Sequence, residues 1–371
     1  MRIVFLDFVR WDYVIDSAYR RPLGGSQSAL CYLAEALAGL GHEVYLLCNT
    51  AAPTLSRGVQ CLPIEKMPPS FFATFDAAIV LNGPAAGPDV RSWLRPGAKL
   101  ILWTQHAHDQ PPMKALRDRA VADSFDAVAM VSGWQQQRYQ ETLGVDRSHS
   151  RVMRNAIAPA FAGRFPAGRS ILPAKPRPVL AYTSTPFRGL NVLLKVFPAI
   201  RAQVPDAVLR VYSSMRVYQM NQESDDARYG PLYRLCRETP GVEYIGSVPQ
   251  PALAEQLTDV MVLAYPNHYP ETSCISVMEA MACGCQVVTS DLGALAETTA
   301  GFARLIPFGA DRAAYTSEFT AQVVAALKAD RSADGAAEER LARQVKHVSQ
   351  ECIWPRRALE WTAWLHELAA R

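Results

Sequence analysis

The 371-residue sequence holds no uninterrupted run of about 18–20 apolar residues, so no transmembrane helix is expected. It has no marked excess of either charge. The 38 Lys and Arg against 35 Asp and Glu leave +3, too little to point to nucleic acid, although an anionic ligand or a membrane surface is permitted. A secretory signal is not apparent: Met1 to Asp7 is a short apolar run ending in charge and reads as a first strand. The eight cysteines lack a framework spacing, so reduced thiols in a cytoplasmic setting are expected. Cys283 with Cys285, and His106 with His108, each offer half of a metal site, and no second pair completes either. Asp-x-Asp, which would hold a magnesium or manganese diphosphate complex, is absent. So is the Gly-x-Gly-x-x-Gly fingerprint of dinucleotide binding.

What is present is ordinary globular composition, 49% apolar and 20% charged, in a chain long enough for two cores. Short apolar strands alternate with helices. Val4-Phe5-Leu6 leads to Gly24-Gly25-Ser26 and a helical stretch, Ala29 to Leu40, that stops at Gly41. Strands follow at Val44 to Cys48, Ala77 to Leu81, Leu100 to Trp103 and Ala127 to Val131. Five prolines and two glycines between Pro159 and Pro178 give linker composition. The alternation restarts at Val179 to Tyr182 and continues through Val208 to Tyr212, Val242 to Ile245, Met261 to Ala264 and Val287 to Thr289. Continuously apolar strands of this kind imply parallel sheets covered on both faces. Ligands of such sheets bind beyond the carboxyl ends of the strands. The end of the chain, Pro355 to Ala370, reads as a helix with Trp354, Trp361, Trp364, Leu365 and Leu368 along one side. It is expected to pack on the body. The alternative is a membrane-surface contact through these tryptophans, helped by Arg356 and Arg357.

The most informative stretch is Pro270 to Gly284. Glu271 and Glu279 are separated by seven residues. Thr272 and Ser273 are suited to cap a helix that runs through Ile275 to Ala282 and ends at Gly284. Glu271 then lies on the loop before the helix and Glu279 inside it, on the order of 10 Å apart along the axis. That is too far for an acid and base on one bond, for which roughly 5–9.5 Å is usual. It suits two grips on one long ligand. Between them lie the N–H groups of a helix start, which favour an anion such as a diphosphate. Carboxylates suit hydroxyl-rich groups on either side, because they accept hydrogen bonds from vicinal diols.

This stretch resembles the signature of glycosyltransferase family 4: Glu, seven residues, Glu, then Ala-Met-Ala-x-Gly, a short strand and a Gly-x-x-x-Glu turn, here Gly293 to Glu297. The resemblance extends over nearly the whole chain. Gly24-Gly25 with Gly41-His42-Glu43-Val44 matches the family's N-terminal pattern, and Val131 to Trp134 and Arg154 to Ile157 resemble its middle motifs. The final Trp-containing helix resembles the one that crosses back to the N-terminal domain.

The fold implied is α/β of the GT-B type, two Rossmann-like domains facing across a cleft with a C-terminal helix crossing back. The expected domains are 1–165 on the acceptor side, a linker at 166–178, a donor domain at 179–352 and the crossing helix at 353–371. The implied activity is a retaining transfer, without cofactor or metal, from a nucleotide-diphosphate sugar to a hydroxyl of a glycan or lipid-linked acceptor, as in cell-surface polysaccharide synthesis. The setting is cytoplasmic, with room for peripheral contact at the membrane's inner face. A sugar-nucleotide epimerase and a non-catalytic nucleotide-sugar binder of the same fold are the rivals.

By this resemblance the donor is gripped mainly by residues 265–297. Glu271 holds hydroxyls of the donor sugar, the backbone of Thr272, Ser273, Cys274, Ile275 and Ser276 faces sugar and diphosphate, Glu279 holds the ribose, and Glu297 closes the motif. Arg188, before Gly189, is the expected diphosphate ligand, with Lys195 either a second one or a solvated surface lysine. Arg188 would stabilise charge on the leaving nucleotide. Gly24 and Gly25 let the chain approach a phosphate closely. His106 matches a histidine near the donor sugar, with His108 the competing alignment. Arg10 and Trp11, with His108, belong to the acceptor side. The sequence departs from the family at Ser273 and Cys274, where Phe-Gly is common, at Tyr182, where a second basic residue is common, and at Tyr212 to Met215, where a Gly-x-Gly loop is common.

Overall fold

The computed structural model describes residues 1–166, 168–329 and 335–371, which form two compact units. The first contains residues 1–20, 24–156 and 354–371; the second contains 21–23 and 157–353.

The first unit is built on eight strands: β1 Arg2–Leu6, β2 Glu43–Cys48, β3 Thr54–Ser56, β4 Val59–Pro63, β5 Ala77–Leu81, β6 Lys99–Thr104, β7 Ala127–Met130 and β8 Ser150–Val152. Their order is β3-β4-β2-β1-β5-β6-β7-β8, parallel except where the short β3 runs against β4. All residues of β5 are buried, as are those of β6 after Lys99. This is why these strands read as unbroken apolar runs rather than alternating ones. Val4, Leu6, Val80, Leu102 and Met130 pack into one continuous core with Phe72, Phe75 and Tyr139. The chain order reverses between β1 and β5, which makes their carboxyl ends the switch point of this sheet.

The second unit has six parallel strands: β9 Val179–Tyr182, β10 Val208–Val211, β11 Val242–Tyr244, β12 Val262–Tyr265, β13 Gln286–Ser290 and β14 Arg304–Ile306. Their order is β11-β10-β9-β12-β13-β14, with the switch point between β9 and β12. Strands β3, β4, β8 and β14 escape the sequence reading because they are short or carry polar residues among the apolar ones.

The linker expected at 166–178 is a correction. The chain passes into the second unit at Ile157, and the proline-rich stretch is anchored there rather than solvated. The Lys175 ammonium is buried and donates to the carbonyls of Thr258, Val260 and Cys283 at 3.0, 2.6 and 2.8 Å. The Glu338 carboxylate accepts from the N–H groups of Ile171 and Leu172. Phe165 and Ile171 join Leu341 and Val345 in a small core. Proline composition thus marks backbone without regular ladders here, not backbone without partners.

The terminal helix, Trp354–Ala369, belongs to the first unit. Trp361 is fully buried with its ring 5.4 Å from Trp103 and 5.5 Å from Trp364, and Trp354 lies 6.3 Å from Tyr32. Arg357 ties the helix to the carbonyl of Asn155 and pairs with Glu360. The membrane contact considered for these tryptophans is therefore overturned: their apolar faces are spent on the protein core. Among the described residues no helix is long and apolar enough to cross a membrane. Replacing Trp361 by Ala should cost about 3–5 kcal/mol of stability, read as a lowered denaturant midpoint.

Candidate active site

The switch point of the second sheet brings together two loops, one leaving β9 and the other leaving β12. Arg188 lies on the first and Glu271 on the second, and they meet. One Arg188 nitrogen, Nη1, donates to Oε1 and Oε2 of Glu271 at 2.8 and 3.0 Å. The Tyr265 hydroxyl donates to Oε1 at 2.6 Å. The guanidinium also lies 4.8 Å from the ring centre of Tyr269. Glu271 is only 4% exposed, and a cation and a hydroxyl compensate its burial.

Two glycines allow this approach. Gly189 has φ +125°, and a Cβ there would stand 2.4 Å from the carbonyl oxygen of Pro266. Gly293 has φ +66°, and a Cβ there would stand 2.3 Å from the Glu271 carbonyl oxygen. The backbone of 293–294 instead lies against Glu271, with Ala294 N–H donating to the Glu271 carbonyl at 2.7 Å. The Gly-x-x-x-Glu turn thus acts through its glycine as a brace for Glu271.

The helix after this loop is Ile275–Ala282, where the sequence places it. Its cap is a correction. The capping position is Cys274, with no side-chain bond to the helix start, rather than Thr272 or Ser273. The Cys274 side chain makes no cap bond, and the positive end of the helix is suited to an anion. Cys274 is buried and its thiol touches the Ser276 hydroxyl at 3.4 Å. Burial pushes that thiol up to about 12, so it is no nucleophile at neutral pH.

Glu279 is 3% exposed, inside the helix. Its Oε1 accepts from Ala158 N–H at 3.3 Å, and Gln250 bonds the same carboxyl. Among the described residues no cation contributes to its shift, and burial pushes it up to about 8, against the pull of those two bonds. Lys195 is exposed on the helix Leu190–Gln203, and Glu297 is exposed on the helix Leu295–Thr299. The structure therefore groups Arg188, Glu271 and the helix start around one switch point, and leaves Lys195 and Glu297 on the surface. Sequence reading did not single out the side chains of Tyr265 or Gln250. A tyrosine closing an apolar strand, directly before a Pro-Asn turn, was the available signal for the first.

In the first unit, Gly24 caps the helix Gly25–Gly39 with φ −57°, a value open to any residue. Its usefulness there does not rest on left-handed backbone. His106 follows β6 and is half-buried; its carbonyl accepts from Gln135 and from the Tyr139 hydroxyl at 2.7 and 2.8 Å. His108 is half-buried with its ring 6.4 Å from Trp134. Arg10 is exposed and Trp11 half-buried, on the loop after β1. That loop is rooted on Asp7, which is buried and accepts from Tyr13, Gln27 and Val9 N–H. Burial raises the Asp7 carboxyl above the usual range despite those bonds. The two cysteines of Cys-x-Cys donate to the carbonyls of Ala254 and Leu257. Among the described residues no three His, Cys, Asp or Glu side chains gather as a metal would need.

Two doubly wound α/β units are the architecture of GT-B glycosyltransferases. Residues 23–161 match the model of glycosyltransferase family 4, and residues 177–327 that of glycosyl transferases group 1. The chain belongs to glycosyltransferase family 4. It is 26% identical over 320 residues to a phosphatidyl-myo-inositol mannosyltransferase of Mycolicibacterium smegmatis, covering 76% of this chain and 77% of that one. Among solved structures it is similar to a sucrose-phosphate synthase of Thermosynechococcus elongatus, with TM-score 0.73, 17% identity and full coverage of both chains. It is also similar to Anabaena HepE in complex with UDP and glucose, with TM-score 0.69, 15% identity, and 99% and 100% coverage.

Gly293→Ala should cost on the order of 1–3 kcal/mol through strain at a left-handed position and should lower transfer further by displacing Glu271. Gly301→Ala, also at positive φ but with open space around it, is the control for strain alone. The raised Glu279 carboxyl gives a second expectation. The unfolded chain releases this proton from about pH 4.5 upward, while the folded chain keeps it until about 8. Its contribution is therefore intact below pH 4.5 and is lost as pH rises to 8. Urea denaturation from pH 5 to 8 should show a decline in unliganded wild type that Glu279→Gln lacks.

Proposed function

We propose that the chain transfers a sugar from a nucleoside-diphosphate sugar to a hydroxyl of a glycan or lipid-linked acceptor, with retention at the anomeric carbon and without a metal. The observation that carries this reading is the meeting of Arg188 with Glu271 beside the start of the helix Ile275–Ala282. That arrangement offers a carboxylate for sugar hydroxyls, N–H groups for a diphosphate and a cation for charge on the leaving group. The HepE complexes with UDP and with UDP-glucose, and the mannosyltransferase relative, support a sugar nucleotide as donor. The relative's named phosphatidyl-myo-inositol supports a lipid-linked acceptor.

In this mechanism the glycosyl–phosphate bond stretches first. Positive charge develops at the anomeric carbon, and the departing electron pair stays on the diphosphate. Arg188 and the helix N–H groups stabilise that diphosphate. The acceptor hydroxyl attacks from the face the leaving group vacates, and its proton passes to a phosphate oxygen. No side chain becomes bonded to the sugar, which fits a Glu271 carboxylate already engaged by Arg188 and Tyr265. The absence of Asp-x-Asp from the sequence fits a diphosphate neutralised by Arg188 and backbone. The Glu279 carboxyl, which holds its proton to about pH 8, can both donate to and accept from the ribose hydroxyls.

Thermal-shift screening with nucleoside diphosphates and their sugars, without metal and then with magnesium, tests the reading. A ligand at 100 times its Kd should add about 2.7 kcal/mol. Stabilisation by a sugar nucleotide without metal is the expected result, and none by any nucleotide overturns the proposal. With the donor known, Glu271→Gln should lower transfer by roughly 100-fold or more while the nucleoside diphosphate alone still binds. His106→Ala, chosen on family resemblance, should lower kcat with little change in nucleotide affinity.

A further inference from the structure

The Glu271 carboxylate has about four lone-pair sites for hydrogen bonds. Its Oε1 already accepts two donors, the Tyr265 hydroxyl at 2.6 Å and Arg188 Nη1 at 2.8 Å, whereas among the described residues Oε2 accepts only Arg188, at 3.0 Å. The Tyr265 hydroxyl is itself directed. Ser184 donates to its oxygen at 3.4 Å, which leaves its own proton for Glu271. Its ring is fully buried, edge-on to Tyr182 with centres 5.9 Å apart, so the ring cannot swing away from the carboxylate.

We infer that Tyr265 is a specificity-determining positioning residue: by filling Oε1 it leaves Oε2 as the one open acceptor, so that Glu271 reads a single hydroxyl of the donor sugar rather than a diol. This rests on Glu271 being the sugar ligand of the proposed transferase. A carboxylate with both oxygens open tolerates either epimer at a neighbouring carbon, because either hydroxyl finds an acceptor. A single fixed acceptor rejects the epimer that turns its hydroxyl away and leaves the site's polar group unpaired. Tyr265 therefore narrows the choice of hexose without touching it.

Tyr265→Phe keeps the ring and its packing on Tyr182 and removes only the hydroxyl. The test is titration calorimetry on full-length wild type and this variant. The probes are UDP, GDP and ADP, and the glucose, galactose and mannose conjugates of whichever of these binds. The inference expects the nucleoside diphosphate to bind both proteins within about twofold, and the spread of Kd between the best and worst hexose to contract about fivefold or more in the variant. An unchanged spread overturns it, as does a wild type that does not distinguish the hexoses. Equal weakening of nucleotide and conjugates overturns it too, since Tyr265 would then act on Arg188 or on the loop as a whole. Failure of the underlying reading looks different: the wild type binds no nucleoside diphosphate or conjugate at all, and the inference falls with it.

Discussion

A buried carboxylate is tolerable only when something compensates it, and in this protein the Glu271–Arg188 pair is that compensation. The two residues leave the carboxyl ends of neighbouring strands, β9 and β12. Their meeting requires two backbone contacts too close for any Cβ, at Gly189 against Pro266 and at Gly293 against Glu271. The loops are thus shaped around the ion pair, and the helix start that follows Glu271 inherits its position from it. Removing one partner leaves the other charged and desolvated, an outcome far costlier than the pair's own net contribution. The pair also holds Arg188 in place, so that binding of the diphosphate proposed above would require little further ordering of this side chain.

The second carboxyl of the same motif solves burial in the opposite way. Glu279 has a backbone N–H and Gln250 for company but no cation, and it keeps its proton to about pH 8. One motif therefore presents a charged acceptor at one end and a neutral donor–acceptor at the other. The difference comes from neighbours contributed by distant parts of the chain: Arg188 in one case, Ala158 and Gln250 in the other.

The first unit is organised by a similar economy of buried polar groups. Asp7 at the end of β1 gathers Tyr13, Gln27 and the Val9 N–H. The Asn82 side chain accepts from Gln105 N–H, while Gln105 and Asn155 exchange amide bonds. These networks fix the polar loops beyond β1, β5 and β6, where the sheet reverses order. The terminal helix adds Trp361 to the core of this unit across a sequence distance of more than 250 residues from Trp103, so the unit is complete only when the end of the chain has been made.

The apolar runs of β1, β5, β6, β9 and β12 determined the doubly wound character of both units from sequence, because a strand buried on both faces reads as a near-continuous apolar run. The helix Ile275–Ala282 and its Gly284 stop were equally legible, since periodicity and end residues are local. Glu271, Glu279 and Arg188 were legible as candidates through spacing and resemblance. The tertiary structure alone decided that Glu271 and Arg188 face each other, that Tyr265 joins them, and that Glu279 stays neutral. It also decided that Cys274, not Thr272 or Ser273, stands at the cap, and that the proline-rich stretch is anchored by Lys175 and Glu338. The physical reason is common to all of these. Charge state, capping and anchoring depend on which groups share a volume from which water is excluded, and that is set by contacts between residues tens to hundreds of positions apart, about which a local pattern carries no information.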